Sequence, residues 1–251
     1  MSELVETLRE GRVLVITLNR PERRNAVDRA LADALDDALN ELEDDPGLWC
    51  GVLSANGPVF SAGSDLKAMG DYSTDRGGEY GIVRRQRTTP LIAAVEGPAL
   101  GGGFEIVLSC DLVVASEQAS FGLPEVSIGV IATCAGLFRG PRALPPNIGR
   151  ELILTGLALG AERAYQLGFV NQLVPAGTAK DAALAMALHI CTNAPVSVQA
   201  SLEAVNRVLS IEDPVGWDAT AAALARLGES DDSREGIAAF FEKRPPRWSG
   251  R

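Results

Sequence analysis

The sequence contains a single histidine, His189. A multi-histidine metal site is therefore excluded, and a Ser-His-Asp triad would rest on this one residue. His189 stands in the helical run Ala182–Cys191, with Leu184 and Leu188 four apart, and reads as a helix-surface residue. Acid–base chemistry falls instead to carboxylates, Lys, Tyr or Cys. Cysteines are few: Cys50, Cys110, Cys134 and Cys191 form no CxxC pair, and each sits among apolar or small neighbours, which reads as reduced thiols. No apolar run approaches membrane-spanning length, and Met1–Arg12 is largely charged without an apolar signal core. The expected compartment is cytoplasmic. Aromatics are 5% of the chain, so Ala, Val, Leu and Ile must build the core.

Positive charge is also short, with 23 Lys and Arg against 33 Asp and Glu, a net charge of −10. Such a surface repels nucleic acid and anionic lipid, so neither is expected as a partner. An anionic ligand would need basic residues gathered locally. What is present is a globular balance of 46% hydrophobic and 22% charged residues over 251 positions, enough for one large domain or two small ones, together with 26 glycines.

Val13–Leu18 reads as a strand stopped by Asn19-Arg20-Pro21, and Asp28–Leu42 as a helix with Leu31, Leu35, Leu39 and Leu42 in register. Strands are predicted at Trp49–Leu53, from Val59-Phe60, at Leu91–Val95 and at Leu112–Ala115, with an apolar helix over Phe104–Leu108. This alternation predicts an α/β fold. Beyond Pro141, Pro145 and Pro146 the segments turn helical: Ile148–Leu154, Ala161–Leu167, Ala179–Cys191, Val196–Leu209 and Gly216–Leu227. In the fourth, Val198, Leu202, Val205 and Leu209 trace one face. Such a tail could serve as a lid, a second domain or an assembly surface.

Three places could carry chemistry. In Phe60-Ser61-Ala62-Gly63-Ser64-Asp65-Leu66-Lys67, Asp65 would cap a short helix over Leu66–Met69 and leave the Ser64 N–H free; a plain capped turn fits equally. In Gly101-Gly102-Gly103-Phe104-Glu105, three glycines open an apolar helix. Neither GxGxxG nor GxxxxGK[ST] is met, so a small oxyanion cradle fits better than a nucleotide loop; tight helix–sheet packing is the alternative. Third, Glu105 and Glu125 lie in apolar surroundings where a carboxylate is costly unless partnered or protonated. Asp111 is a comparable candidate, and spacing alone does not show that any two of these acids meet.

Read together, these stretches resemble the crotonase superfamily, the enoyl-CoA hydratase/isomerase family. Five segments match in order: Leu18-Asn19-Arg20-Pro21 with Asn25-Ala26; Phe60–Leu66; Gly97–Glu105; Phe121-Gly122-Leu123-Pro124-Glu125; and Glu235-Gly236 with Phe241-Glu242-Lys243-Arg244. The resemblance implies a spiral of ββα units over 1–194, closed by a C-terminal helical trimerisation region, 195–251, with trimers commonly paired into hexamers. It implies an acyl-CoA substrate, no separate cofactor because coenzyme A is part of that substrate, and no metal. The oxyanion hole would be the N–H groups of Ser64 and Gly102. Arg23, Arg24 and Lys67, with Arg20 nearby, match positions close to the CoA phosphates, while Ala62, Asp65, Leu66 and Thr133 fall at substrate-contacting positions. Hydratases of the family carry two glutamates, here Glu105 and Glu125; isomerases often keep only the second. The implied activity is hydration of a 2-enoyl-CoA. A double-bond isomerase and a non-catalytic acyl-CoA-binding protein are the alternatives. One departure is the run Ala132-Thr133-Cys134-Ala135-Gly136, where the family usually has Pro, Gly, a small residue, Gly and Gly. Thr133, at a glycine position, is expected to narrow the pocket or shift a bound water. Cys134 reads as a packing residue.

Overall fold

A computed structural model describes residues 4–68 and 70–251. The strands are β1 (Val5–Glu10), β2 (Val13–Leu18), β3 (Cys50–Ala55), the short pair β4 (Ser73–Thr74) and β5 (Gly78–Glu79), β6 (Leu91–Val95), β7 (Pro98–Leu100), β8 (Leu112–Ser116), β9 (Ser120–Gly122), β10 (Leu159–Gly160) and β11 (Gln172–Val174). The main sheet has the order β1-β2-β3-β6-β8-β11, parallel except for β1; a second sheet has the order β10-β9-β7. The helices are α1 (Arg29–Asp44), α2 (Gly102–Val107), α3 (Gly136–Ala143), α4 (Pro146–Thr155), α5 (Ala161–Gln166), α6 (Ala179–Ile190), α7 (Pro195–Leu209), α8 (Asp213–Gly228) and α9 (Asp231–Glu242).

Strand alternation divides the main sheet between two cores. Leu14, Ile16, Leu18, Leu53, Ala93, Val95 and Val113 face a large cluster that takes in Leu31, Leu35, Leu39 and Leu42 of α1. Val13, Val15, Val52, Ile92, Ala94 and Val114 face Ala179, Ala183 and Ala187 of α6. Burying each α1 leucine stabilises by roughly 2 kcal/mol. Asp28 starts that helix by accepting the Leu31 N–H at 2.9 Å. On α6 the buried stripe is alanine rather than the leucines, because a helix lying flat on a sheet needs small side chains at the contact; Leu188 and His189 are exposed.

The chain winds between the two sheets. From β6 it crosses to β7 and enters α2; from β8 it crosses to β9 and enters a 3-10 helix, Pro124–Ile128; from β10 it runs through α5 back to β11. This is the expected ββα spiral.

Several local expectations are corrected. No strand starts at Val59-Phe60. Phe60 N and Ser61 N both donate to Pro98 O, Ser61 makes a single bridge to Ala99, and Gly63 turns the chain at φ +82°. Leu66–Ala68 form a turn rather than a helix; Met69, the last residue of that expected helix, lies outside the described residues. Val5–Glu10, read only as charged, is an edge strand with five of six residues exposed, where charge discourages further pairing. Pro141, read as a boundary, lies inside α3, and Gly149 of α4 packs on it.

At the other end, α7 buries no residue and α8 only Thr220. Val205, Val208, Leu209, Ile211 and Val215 stand between 52% and 78% exposed. Helix α9 folds back on the core. Gly236 seats it so closely that a Cβ there would lie 2.5 Å from the Ile128 carbonyl carbon, just beyond Glu125. No described helix is long and apolar enough to cross a membrane.

Candidate active site

The second sheet assembles the site. Strands β7 and β9 pair in parallel, Leu100 opposite Gly122, and Gly101 N donates to Gly122 O at 2.8 Å. The residues leaving these strands, Gly101–Glu105 and Leu123–Glu125, thus begin side by side. Gly101 takes φ +56°, and a Cβ on it would lie 3.1 Å from the Glu125 Oε1 atom. Gly103 packs against Ser61 so tightly that a Cβ would run into the Ser61 carbonyl oxygen. The glycine run therefore packs the start of α2 closely on its surroundings, the second of the two readings.

Ser64 bridges Val27 in parallel: Val27 N donates to Gly63 O at 2.7 Å and Asp65 N to Val27 O at 2.8 Å. In such a bridge the central residue's own N–H points the other way, so the Ser64 amide faces away from Val27, on the side where Gly63 abuts the Gly102 nitrogen. Among the described residues neither the Ser64 nor the Gly102 N–H has a backbone acceptor. Two donors, one at the first residue of α2, are thus left without a backbone acceptor among the described residues.

Glu105 is 2% exposed. Its Oε1 atom accepts the Cys134 N–H at 2.7 Å and the Gly136 N–H at 2.8 Å. Burial, then the charge of Glu125, push this carboxyl up to about 8, against the two N–H bonds. Glu125 sits on the 3-10 helix with Oε2 buried and without a hydrogen-bond partner among the described residues, and burial raises it to about 7. Burial raises both carboxyls, and the charge of either one disfavours ionisation of the other. The two steps belong to the pair. Near neutral pH the pair holds about one proton, one member able to donate and the other to accept.

The unusual loop Ala132–Gly136 wraps Glu105. Ala135 adopts φ +78° at the start of α3, which turns the amides of Cys134 and Gly136 toward one carboxylate oxygen. A Cβ at Gly136 would lie 2.9 Å from that oxygen. Thr133 is half-buried with its hydroxyl 3.7 Å from the Cys134 sulfur. Burial and Glu105 push the Cys134 thiol far up, so it is protonated and inert.

Asp65 caps no helix. It accepts the Lys67 N–H at 3.1 Å and pairs with Arg20 at 2.9 Å, and Arg20 also pairs with Asp28 at 3.0 Å. Arg20 thus fastens the strand end to the site loop and is not a spare cation. Arg23, Arg24 and Lys67 are exposed and make no ion pair among the described residues; Ala62 and Leu66 are exposed beside them. Asp111 is consumed by Arg87 at 2.7 Å and the Leu91 N–H at 2.7 Å.

One residue gave no signal in the sequence beyond a local excess of glycine. Tyr80, 4% exposed, places its hydroxyl 2.7 Å from the Ser64 Oγ atom. Elsewhere, a cavity of about 360 Å³ lies between the end of α2 and α7, lined by Leu108, Asp111, Arg139, Leu202 and Asp213. Its Asp111 and Asp213 are bound to Arg87 and Arg139, so it offers no free acid or base.

Two sheets wound together, a glycine-opened helix and a buried acid pair beside it define a crotonase-fold enzyme. The family described as enoyl-CoA hydratase/isomerase matches residues 9–251, and the chain belongs to it. A carnitinyl-CoA dehydratase of Salmonella paratyphi A is 38% identical over the full length of both chains. Among solved structures, a carnitinyl-CoA hydratase from Mycobacterium avium superposes with a TM-score of 0.94 at 42% identity, and an enoyl-CoA hydratase from Mycobacterium tuberculosis with 0.81 at 42%, each covering all of both chains.

Proposed function

We propose that this protein adds water across the 2,3-double bond of a 2-enoyl-CoA, a hydro-lyase reaction. The observation that carries the reading is the pair of buried carboxyls, raised to about 8 and about 7, beside two unclaimed amides. Water between the acids gives a proton to the ionised carboxylate as its oxygen attacks Cβ. The electron pair of the double bond moves through Cα onto the thioester oxygen, which the Ser64 and Gly102 N–H groups hold as an enolate. The protonated carboxyl then supplies Cα, so that water's hydrogen and hydroxyl are both accounted for. Run backwards, the same atoms perform a dehydration. No cofactor beyond the CoA of the substrate is needed.

Arg23, Arg24 and Lys67 would meet the CoA phosphates and give an acidic protein its local positive face. Ala62, Asp65 and Leu66 would line the entrance. Thr133, whose neighbour Cys134 anchors Glu105, would bound the water and acyl side. The exposed apolar face of α7 and the start of α8 supports assembly through 195–251 into a trimer or a pair of trimers, with 1–194 carrying the site; a sedimentation mass of one chain, 26.4 kDa, would rule assembly out. The charge of −10 fits a cytoplasmic protein with no nucleic-acid or membrane partner.

Steady-state hydration of crotonyl-CoA and longer enoyl-CoAs tests the reading. Glu105→Gln and Glu125→Gln should each lower kcat by roughly 10²–10⁴-fold while binding of a saturated acyl-CoA stays near wild type. No hydration by wild type at any chain length would sink it. A mild Glu105→Gln beside an inactive Glu125→Gln would point to double-bond isomerisation.

A further inference from the structure

Tyr80 is a buried titratable group at the site to which the proposed reaction gives no task. Its ring covers the start of α2: a Cβ on Gly102 would collide with the Tyr80 hydroxyl and lie 2.6 Å from its Cζ. The hydroxyl is at the same time 2.7 Å from Ser64 Oγ. One side chain therefore touches both residues whose amides form the cradle.

The segment carrying it is fixed on both sides. Tyr80 N donates to Tyr72 O at 3.1 Å, and the Tyr72 hydroxyl donates to Asp65 O at 2.9 Å. Gly81 nestles against α1, where a Cβ would lie 2.5 Å from Ala32 O. Tyr80 itself holds φ +57°, a left-handed backbone that a bulky residue rarely adopts. That conformation persists because neighbouring glycines and the helix wall leave no alternative, and it delivers the hydroxyl to Ser64. Burial, with Cys134 and Glu105 nearby, keeps the phenol protonated, so it stays an intact hydrogen-bonding hydroxyl.

We propose that Tyr80 is a positioning residue: through its hydroxyl on Ser64 and its ring on Gly102 it sets the spacing and aim of the two amide donors. This rests on the Ser64–Gly102 pair being the enolate-holding site. The role is geometric. A donor pair stabilises a developing oxyanion only if both N–H groups converge on it, and Ser64 lies in an irregular loop held by a single bridge to Val27.

The test separates the two layers. Tyr80→Phe keeps the ring on Gly102 and removes only the hydroxyl; Ser64→Ala keeps the backbone N–H and removes the other end of the bond. The thioester carbonyl of bound butyryl-CoA, carbon-13 labelled and unable to hydrate, reports the cradle by infrared difference spectroscopy. In wild type its stretch should fall on binding. Each variant should lose part of that shift, Tyr80→Phe at least as much as Ser64→Ala because its hydroxyl also meets the Cys134 thiol, and the double variant no more than Tyr80→Phe alone, because both remove the Tyr80–Ser64 bond. For crotonyl-CoA, kcat should drop about tenfold with KM near wild type, since a misaimed donor costs less than a deleted one at roughly 10²–10³. A wild-type shift that Tyr80→Phe leaves intact would overturn the Tyr80 assignment alone. So would a change confined to KM or chain-length preference, which would make Tyr80 a pocket wall. An unshifted carbonyl in wild type would remove the cradle itself, and the Tyr80 role with it.

Discussion

The amide nitrogen of Gly102 lies 2.6 Å from the point a Cβ on Gly63 would occupy. Residue 63, without a side chain and at φ +82°, leaves room for that approach, on which the proposed cradle depends. Gly63→Ala should therefore open the cradle while the sheets remain folded. The expected loss in kcat is roughly a hundred- to a thousandfold, the cost of one missing donor, with affinity for free CoA little changed. Paired kinetics and CoA titration check this; an active Gly63→Ala enzyme would argue against the two-amide cradle.

The acid pair sets a pH signature. With steps near 7 and near 8, the pair carries its single proton between them. Hydration, as kcat/KM, should fall on the acid side as both carboxyls become protonated and on the alkaline side as both ionise.

Stability should follow the same groups in one direction. Glu105 in the folded chain holds its proton up to about 8, against 4.5 ordinarily, so the folded state binds protons more tightly than the unfolded one across that window. The contribution of Glu105 to stability is thus fully present below the ordinary carboxyl value and is lost as pH rises through about 8, by at most about 1.4 kcal/mol per pH unit. Denaturant melts at stepped pH should show the decline, and Glu105→Gln should flatten it.

Arg23, Arg24 and Lys67 give a fourth expectation. Replacing Arg23, Arg24 and Lys67 singly with Ala should raise KM for an enoyl-CoA about two- to fivefold, as exposed charge pairs are worth roughly 0.3–1 kcal/mol, and the penalty should shrink with added salt. A pantetheine thioester lacking the nucleotide phosphates should show no difference between variants and wild type. Equal losses on both substrates would move the phosphates elsewhere.

Much of this was legible before any coordinates. Continuous apolar runs closed by Asn-Arg-Pro or Glu-Gly-Pro mark β2 and β6 residue for residue, because strands buried on both faces leave no polar ambiguity. The edge strand β1 was not legible, since an exposed strand needs no apolar pattern. Helix α3 hides behind Pro141, which lies inside it where a proline ordinarily reads as a break. Glu105 and Glu125 could be picked out as costly acids, but their meeting depends on the parallel pairing of three-residue strands, too short to announce themselves. Tyr80 was invisible for a related reason: its importance lies in one hydroxyl distance and one positive φ, neither of which has a periodic trace.

Helix α9 braces the segment that carries Glu125 through Gly236 against Ile128 and through Asp232 and Trp248 against Gly129. About a hundred residues of chain separate the acid from its brace. During synthesis at roughly 5–20 residues per second, the sheets and both glutamates emerge several seconds before α9 does. The brace on the Glu125 segment is thus made well after the segment it supports.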